Sequence, residues 1–67
     1  MTRIRLNGED HEIAPGTTIA DLLRAMDMPS EGVAVAVERK VVPHSAHAEH
    51  VLEEGVEVEV IRAVGGG

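Results

Sequence analysis

Residues 2–26 read TRIRLNGEDHEIAPGTTIADLLRAM, and the order of patterns in this stretch decides the fold. Ile4 and Leu6 lie on one face of an alternating run and Arg3 and Arg5 on the other, the period of a half-buried strand. Asn7-Gly8 follows, a pair that readily takes the positive φ of a type I′ turn, so the chain is expected to reverse there. The returning strand, Glu9 to Ala14, puts His11 and Ile13 on one face, with His11 as a strand-edge packing residue, and Pro15-Gly16 ends it. Thr18 then reads as a helix N-cap, with Asp21 where a capping-box acid reaches back. Ile19, Leu22, Leu23 and Met26 form one buried helical stripe. Pro29 disfavours the α conformation at Met28 and Gly32 supplies a break, so the helix should end near Met26.

Beyond the helix, Val33 to Val37 alternates Val with Ala, a strand apolar on both faces and therefore expected to be central. Glu38 to Lys40 makes a turn, Val41-Val42 a short strand and Ser45 to His50 a single helical turn, after which Val51 and Leu52 return to the core and Glu54-Gly55 turns the chain. The last strand, Val56 to Arg62, sets Val56, Val58 and Val60 against Glu57, Glu59 and Ile61. One helical stripe can cover one face of a mixed sheet of four to five strands. The expectation is an α+β chain of β-grasp (ubiquitin-like) architecture, with its one main helix on one face and its last strand parallel beside the first. Glu57 and Glu59 then come near Arg3 and Arg5 on the uncovered face, as a marker of register. Residues 1–67 form a single domain in this reading, with 63–67 as a flexible glycine-rich tail.

A chain of 67 residues without Cys, Phe, Tyr or Trp must build its core from aliphatic side chains. It has no disulfide, thiolate ligand or cysteine nucleophile. Its net charge of -6 opposes phosphate neutralisation, so no nucleic acid is expected and a basic protein partner fits better. No apolar run approaches the roughly 20 residues of a membrane span and no secretory signal is apparent, so the expectation is a cytoplasmic, monomeric protein without membrane attachment.

Catalytic constellations are poorly supported. Ser45 is flanked by His44 and His47 but has no third group to orient a base. His44, His47 and His50, with Glu49, are spaced so that a helical turn could gather two metal ligands, yet a structural zinc site needs four, and a solvated polar turn is the better reading. Glu53 and Glu54 lie at a turn, and no glycine-rich loop precedes a helix to hold phosphate. No catalytic residue, metal or bound cofactor is therefore expected. The closing RAVGGG, residues 62–67, carries the chemical interest. Three residues without Cβ reach roughly 10 Å into a narrow slot and deliver a terminal carboxylate. Ordering them forfeits on the order of 5 kcal/mol of backbone entropy, which docking of the folded body must offset. Ala34, Ala36 and Ile61, rimmed by Arg3, Arg5, Glu57 and Glu59, form the expected docking patch.

The segments IRLNGEDHEI, PGTTIADLLRAM, GVAVAVERKVVPHSA and EVEVIRAVGGG resemble, in order and over essentially the whole chain, the ThiS family of ubiquitin-like sulfur carriers of thiamine biosynthesis. The resemblance implies a carrier and not an enzyme. Its Gly67 carboxylate would be adenylated by an ATP-using activating enzyme of the ThiF type and converted to a covalent thiocarboxylate with sulfur from a donor protein. The sulfur would then pass to a thiazole synthase of the ThiG type, with Gly65 and Gly66 threading the partner's channel. Three departures from the pattern stand out: His47 where an aromatic residue is common, Gly55-Val56 where Gly-Asp is common, and three terminal glycines where two are common. The small subunit of molybdopterin synthase (MoaD-like) and a ubiquitin-like protein modifier share the glycine end and are the alternatives.

Overall fold

The computed structural model describes residues 1–28 and 32–62. Strands β1 (Thr2–Leu6) and β2 (Glu9–Ile13) form the first hairpin, and helix α1 (Ile19–Ala25) follows. Strands β3 (Val33–Val37) and β4 (Lys40–Val42) make a second hairpin, a 3-10 turn occupies His44–Ala46, and β5 (Glu57–Arg62) completes the described chain. The five strands form one sheet in the order β2-β1-β5-β3-β4. β1 and β5 run parallel, and the other neighbours are antiparallel. This is the mixed sheet with one helix that the order of patterns predicts.

Local chemistry accounts for the junctions. Asn7 and Gly8 take φ of 50° and 84°, the left-handed pair a two-residue hairpin needs. The capping box at α1 is complete: the Asp21 amide donates to Thr18 Oγ1 at 3.1 Å, and the Thr18 amide donates to Asp21 Oδ2 at 3.2 Å. Two further amides at this end find partners in the loop before β5, Ile19 on the His50 carbonyl and Ala20 on the His47 carbonyl, both at 3.0 Å. The donors a helix start leaves unpaired are thereby used to anchor a loop.

Alternation sorts the strands onto two faces. Ile4, Leu6, Ile13, Val35, Val37, Val58 and Val60 meet Ile19, Leu22 and Leu23 of the helix, and Leu52 closes the core. Each fully buried aliphatic side chain is worth about 1.5–3 kcal/mol relative to exposure, so this aliphatic layer holds the fold.

Three expectations need correction. Val51 does not return to the core and remains 48% exposed, because its backbone is taken up by a bridge to Thr18 and only Leu52 points inward. β3, by contrast, lies between β5 and β4 and is the interior strand expected. His11 is exposed although it shares a face with Ile13, since β2 is an edge strand. Finally, Arg5 stands in register with Glu57, but its guanidinium donates to the Gly8 carbonyl at 3.1 Å. Arg3 instead approaches Glu12 of β2 at 3.8 Å, so the expected ion pairs between β1 and β5 are absent among the described residues.

The Glu38-Arg39 turn carries a conformation the sequence does not announce. Both residues have positive φ, 53° and 69°, where a side chain is strained. Glu38 is held from outside: its amide donates to the Glu57 carbonyl at 2.8 Å, and its Oε2 accepts from the Glu57 amide at 2.6 Å.

Candidate functional site

The face of the sheet away from α1 is the candidate site, and strand register composes it. Ala34 lies opposite Ile61 and Ala36 opposite Glu59; Ala36 lies also opposite Val41, and Arg5 lies opposite Glu57. The five residues expected to form a docking surface, Ala34, Ala36, Ile61, Arg3 and Arg5, therefore do share one face. Ile61 is 59% exposed and Val41 73%. Val41 extends the apolar part of this face, and alternation across the β3–β4 pair was the signal that could have found it.

The face is divided. Towards β2 it is charged, with Arg3, Arg5, Asp10 and Glu12 in paired positions. Towards β4 it is apolar and built of small or branched side chains. Between them a shallow dent of about 430 Å³ is lined by Asn7, Gly8, Arg39, Glu57 and Glu59. Such a surface suits a macromolecule, because an apolar patch with a polar rim is the usual composition of a docking face.

The histidine segment is not the solvated polar turn expected, because one of its rings is buried. His47 is 3% exposed, the only polar residue among the buried ones described, and its Nε2 lies 3.1 Å from the Val42 carbonyl. Its Nδ1 is buried without a partner, which is consistent with Nε2 carrying the proton and donating. The ring is therefore buried, with its Nε2 committed to the backbone. His44 stacks at a tilt, ring centres 5.3 Å apart, and no metal-holding group of His, Asp and Glu is found among the described residues. Gly65, Gly66 and Gly67 lie outside the described residues; the last one described, Arg62, ends β5.

Comparison with known proteins agrees with this arrangement. A family model described as the ThiS family matches residues 4–67. The sulfur carrier protein ThiS of Escherichia coli is 28% identical over 65 residues, covering 97% of this chain and 98% of that protein. A protein named thiazole synthase from Magnetococcus marinus is 38% identical over 65 residues, 97% of this chain but 20% of the relative. Another thiazole synthase, from Paramagnetospirillum magneticum, is 29% identical with the same coverage. The chain thus spans about a fifth of the length of these two relatives. Among solved structures, a thiamine biosynthesis protein (ThiS) from Geobacter metallireducens superposes with a TM-score of 0.85 at 25% identity, covering 98% of this chain and all of that one.

Proposed function

The chain belongs to the ThiS family, and from that premise we propose that it is a sulfur carrier for the thiazole moiety of thiamine, a protein co-substrate and not an enzyme. The observation that carries the reading is the family match, which runs through the glycines to residue 67 on a fold that superposes with a ThiS protein over 98% of its length.

The chemistry follows from what the chain has and lacks. With no cysteine in the sequence, sulfur needs another attachment point, and an acyl carbon at Gly67 provides one. A carboxylate is a poor electrophile. In the proposed sequence its oxygen attacks the α-phosphorus of ATP in an activating enzyme of the ThiF type, releasing pyrophosphate and leaving an acyl adenylate. A donor protein's persulfide then attacks the acyl carbon and expels AMP, forming an acyl disulfide, and a second thiol of the donor cleaves its S–S bond, releasing the thiocarboxylate and leaving a disulfide on the donor. Gly65 and Gly66 fit a channel too narrow for side chains, and the open sheet face seats the body on each enzyme in turn. The thiazole synthase is the acceptor; relatives bearing that name support this. No helix among the described residues is long and apolar enough to cross a membrane. The reading places the carrier in the cytoplasm as a monomer between encounters.

Incubation with the activating enzyme, ATP and a sulfur donor is expected to shift the intact mass by one oxygen-to-sulfur exchange, and deletion of Gly67 is expected to abolish the shift without altering the melting temperature. An unchanged mass with an enzyme active on another carrier would refute the reading.

A further inference from the structure

The two flanks of β5 are unequally used. On one side β3 pairs with it along its whole length, from Val37 opposite Val58 to Val33 opposite Arg62. On the other, β1 is in register only at Arg5 and Leu6, opposite Glu57 and Val58, because the chain leaves the sheet at the Asn7-Gly8 turn.

Backbone polarity along β5 fixes which groups this leaves over. In a strand, the N–H and C=O of one residue point to the same flank, and successive residues alternate. The Glu57 carbonyl accepts from Glu38 at 2.8 Å, which assigns Glu57, Glu59 and Ile61 to the β3 flank. The Val56 and Val58 carbonyls accept from the Arg5 and Asn7 amides, both at 2.9 Å, which assigns Val56, Val58, Val60 and Arg62 to the β1 flank. At Val60 the strand has already gone, and the side chain of Asn7 stands in for it: Oδ1 accepts from the Val60 amide at 2.9 Å. The Val60 carbonyl and the Arg62 amide come next on this flank, and no described strand lies in register with them.

We propose that this free flank of β5 is a strand-addition site, at which an extended backbone segment of the thiazole synthase pairs with the Val60 carbonyl and the Arg62 amide. The inference rests on the carrier reading above and names how one partner of that reading docks. A short row of groups without a partner among the described residues, beyond a side-chain cap, is a template for one added strand. Three features favour this occupant. In the Magnetococcus and Paramagnetospirillum proteins, a region like this chain makes up 20% of a longer protein named thiazole synthase, so carrier fold and synthase share one polypeptide there. The exposed Ile61 side chain stands beside the free flank and gives an incoming strand an apolar contact. And pairing here would hold the chain extended at Arg62, the residue from which the glycine end departs.

The test uses proline. Arg62→Pro removes the amide that faces the free flank while leaving the bonds to β3, which belong to odd-numbered residues of β5; edge positions of this kind tolerate proline. Arg62→Ala keeps the amide and removes the side chain. Dissociation constants for a thiazole synthase, measured by calorimetry on the full chains, are expected to rise about 3- to 10-fold for Arg62→Pro and to stay within about twofold for Arg62→Ala. Equal binding by Arg62→Pro and the parent chain would overturn the inference and leave the carrier reading standing, as would equal losses in both variants. Failure of the parent chain to bind the synthase would overturn both. Because proline could disturb the end of the strand, amide exchange of the parent chain gives an independent readout. The Arg62 amide is expected to exchange more slowly in the complex, and an unchanged rate would overturn the inference.

Discussion

Two turns of the same shape rim the dent in the open face, and they reach that shape by different means. Asn7-Gly8 takes positive φ at both positions because its residues allow it: Gly has no Cβ, and Asn tolerates the left-handed region better than most. Glu38-Arg39 takes the same pair of signs with residues that resist it, and is held by two hydrogen bonds to Glu57. The first turn can form from residues 2–13 alone. The second needs β5 in place, so its geometry is a property of the assembled sheet. A backbone shape is thus either written locally or imposed from a distance, and only the first kind can be read along the chain.

Exchanging the turns gives the largest expected effect. Placing Glu at 7 and Arg at 8 puts side chains on two left-handed residues, each costing about 1–2 kcal/mol when unsupported, and removes the acceptor on the part-buried Val60 amide. Chemical denaturation should show a loss of at least about 2 kcal/mol. Glu38→Ala tests the outside hold, since it deletes the acceptor 2.6 Å from the Glu57 amide. A loss of about 0.5–1.5 kcal/mol is expected, read as a melting temperature lower by roughly 4–8 °C per kcal/mol in a domain of this size. No change would mean that the turn is locally stable after all.

A gain is expected from Arg39→Gly, which relieves a residue at φ 69°. Where glycine suits the native φ and nothing else is lost, about 1 kcal/mol is available, partly offset by the greater freedom of glycine in the unfolded chain. A loss would show that the Arg39 side chain holds the dent together.

The smallest effect belongs to a third junction, the locally written capping box. The hydrogen bonds from Thr18, backbone first and then side chain, hold the Asp21 carboxyl below the usual aspartate range, with Arg24 assisting. Because folding lowers that pKa, the contribution is full at neutral pH and is lost as pH falls through the folded value, below the ordinary aspartate range. Asp21→Asn should therefore melt at a temperature that differs from the parent's at pH 7 and converges on it in acid. A difference independent of pH would assign the effect to shape and not to charge.

The same division explains what could be read in advance. The first hairpin, the capped helix and β5 were legible because each is announced by alternation, a cap or a turn pair within a dozen residues. The parallel contact of β1 with β5 followed from element order, but its stagger did not, since it depends on where Asn7-Gly8 leaves the sheet relative to a strand some 50 residues on. The pairing of Arg3 with Glu12 and the burial of His47 were hidden for the same reason: both are decided by neighbours that arrive from elsewhere in the chain. On the candidate site, Ala34, Ala36, Ile61, Arg3 and Arg5 were legible through alternation. Val41 belongs with them, and only the β3–β4 register reveals it. The glycines at 65–67 lie outside the described residues, so the part of the site that would carry the acyl chemistry rests on the family and not on geometry.

His47 has a practical consequence. In a chain with no Phe, Tyr or Trp, its imidazole is the one buried aromatic ring among the described residues. The protein gives no tryptophan fluorescence and no useful absorbance near 280 nm, so a spectroscopist is left with the imidazoles, whose Hε1 protons give four signals, one per histidine. A soluble gadolinium chelate should broaden those of exposed His11 and His44 first and spare that of His47. That resonance is a built-in reporter of the interior, readable without introducing a label.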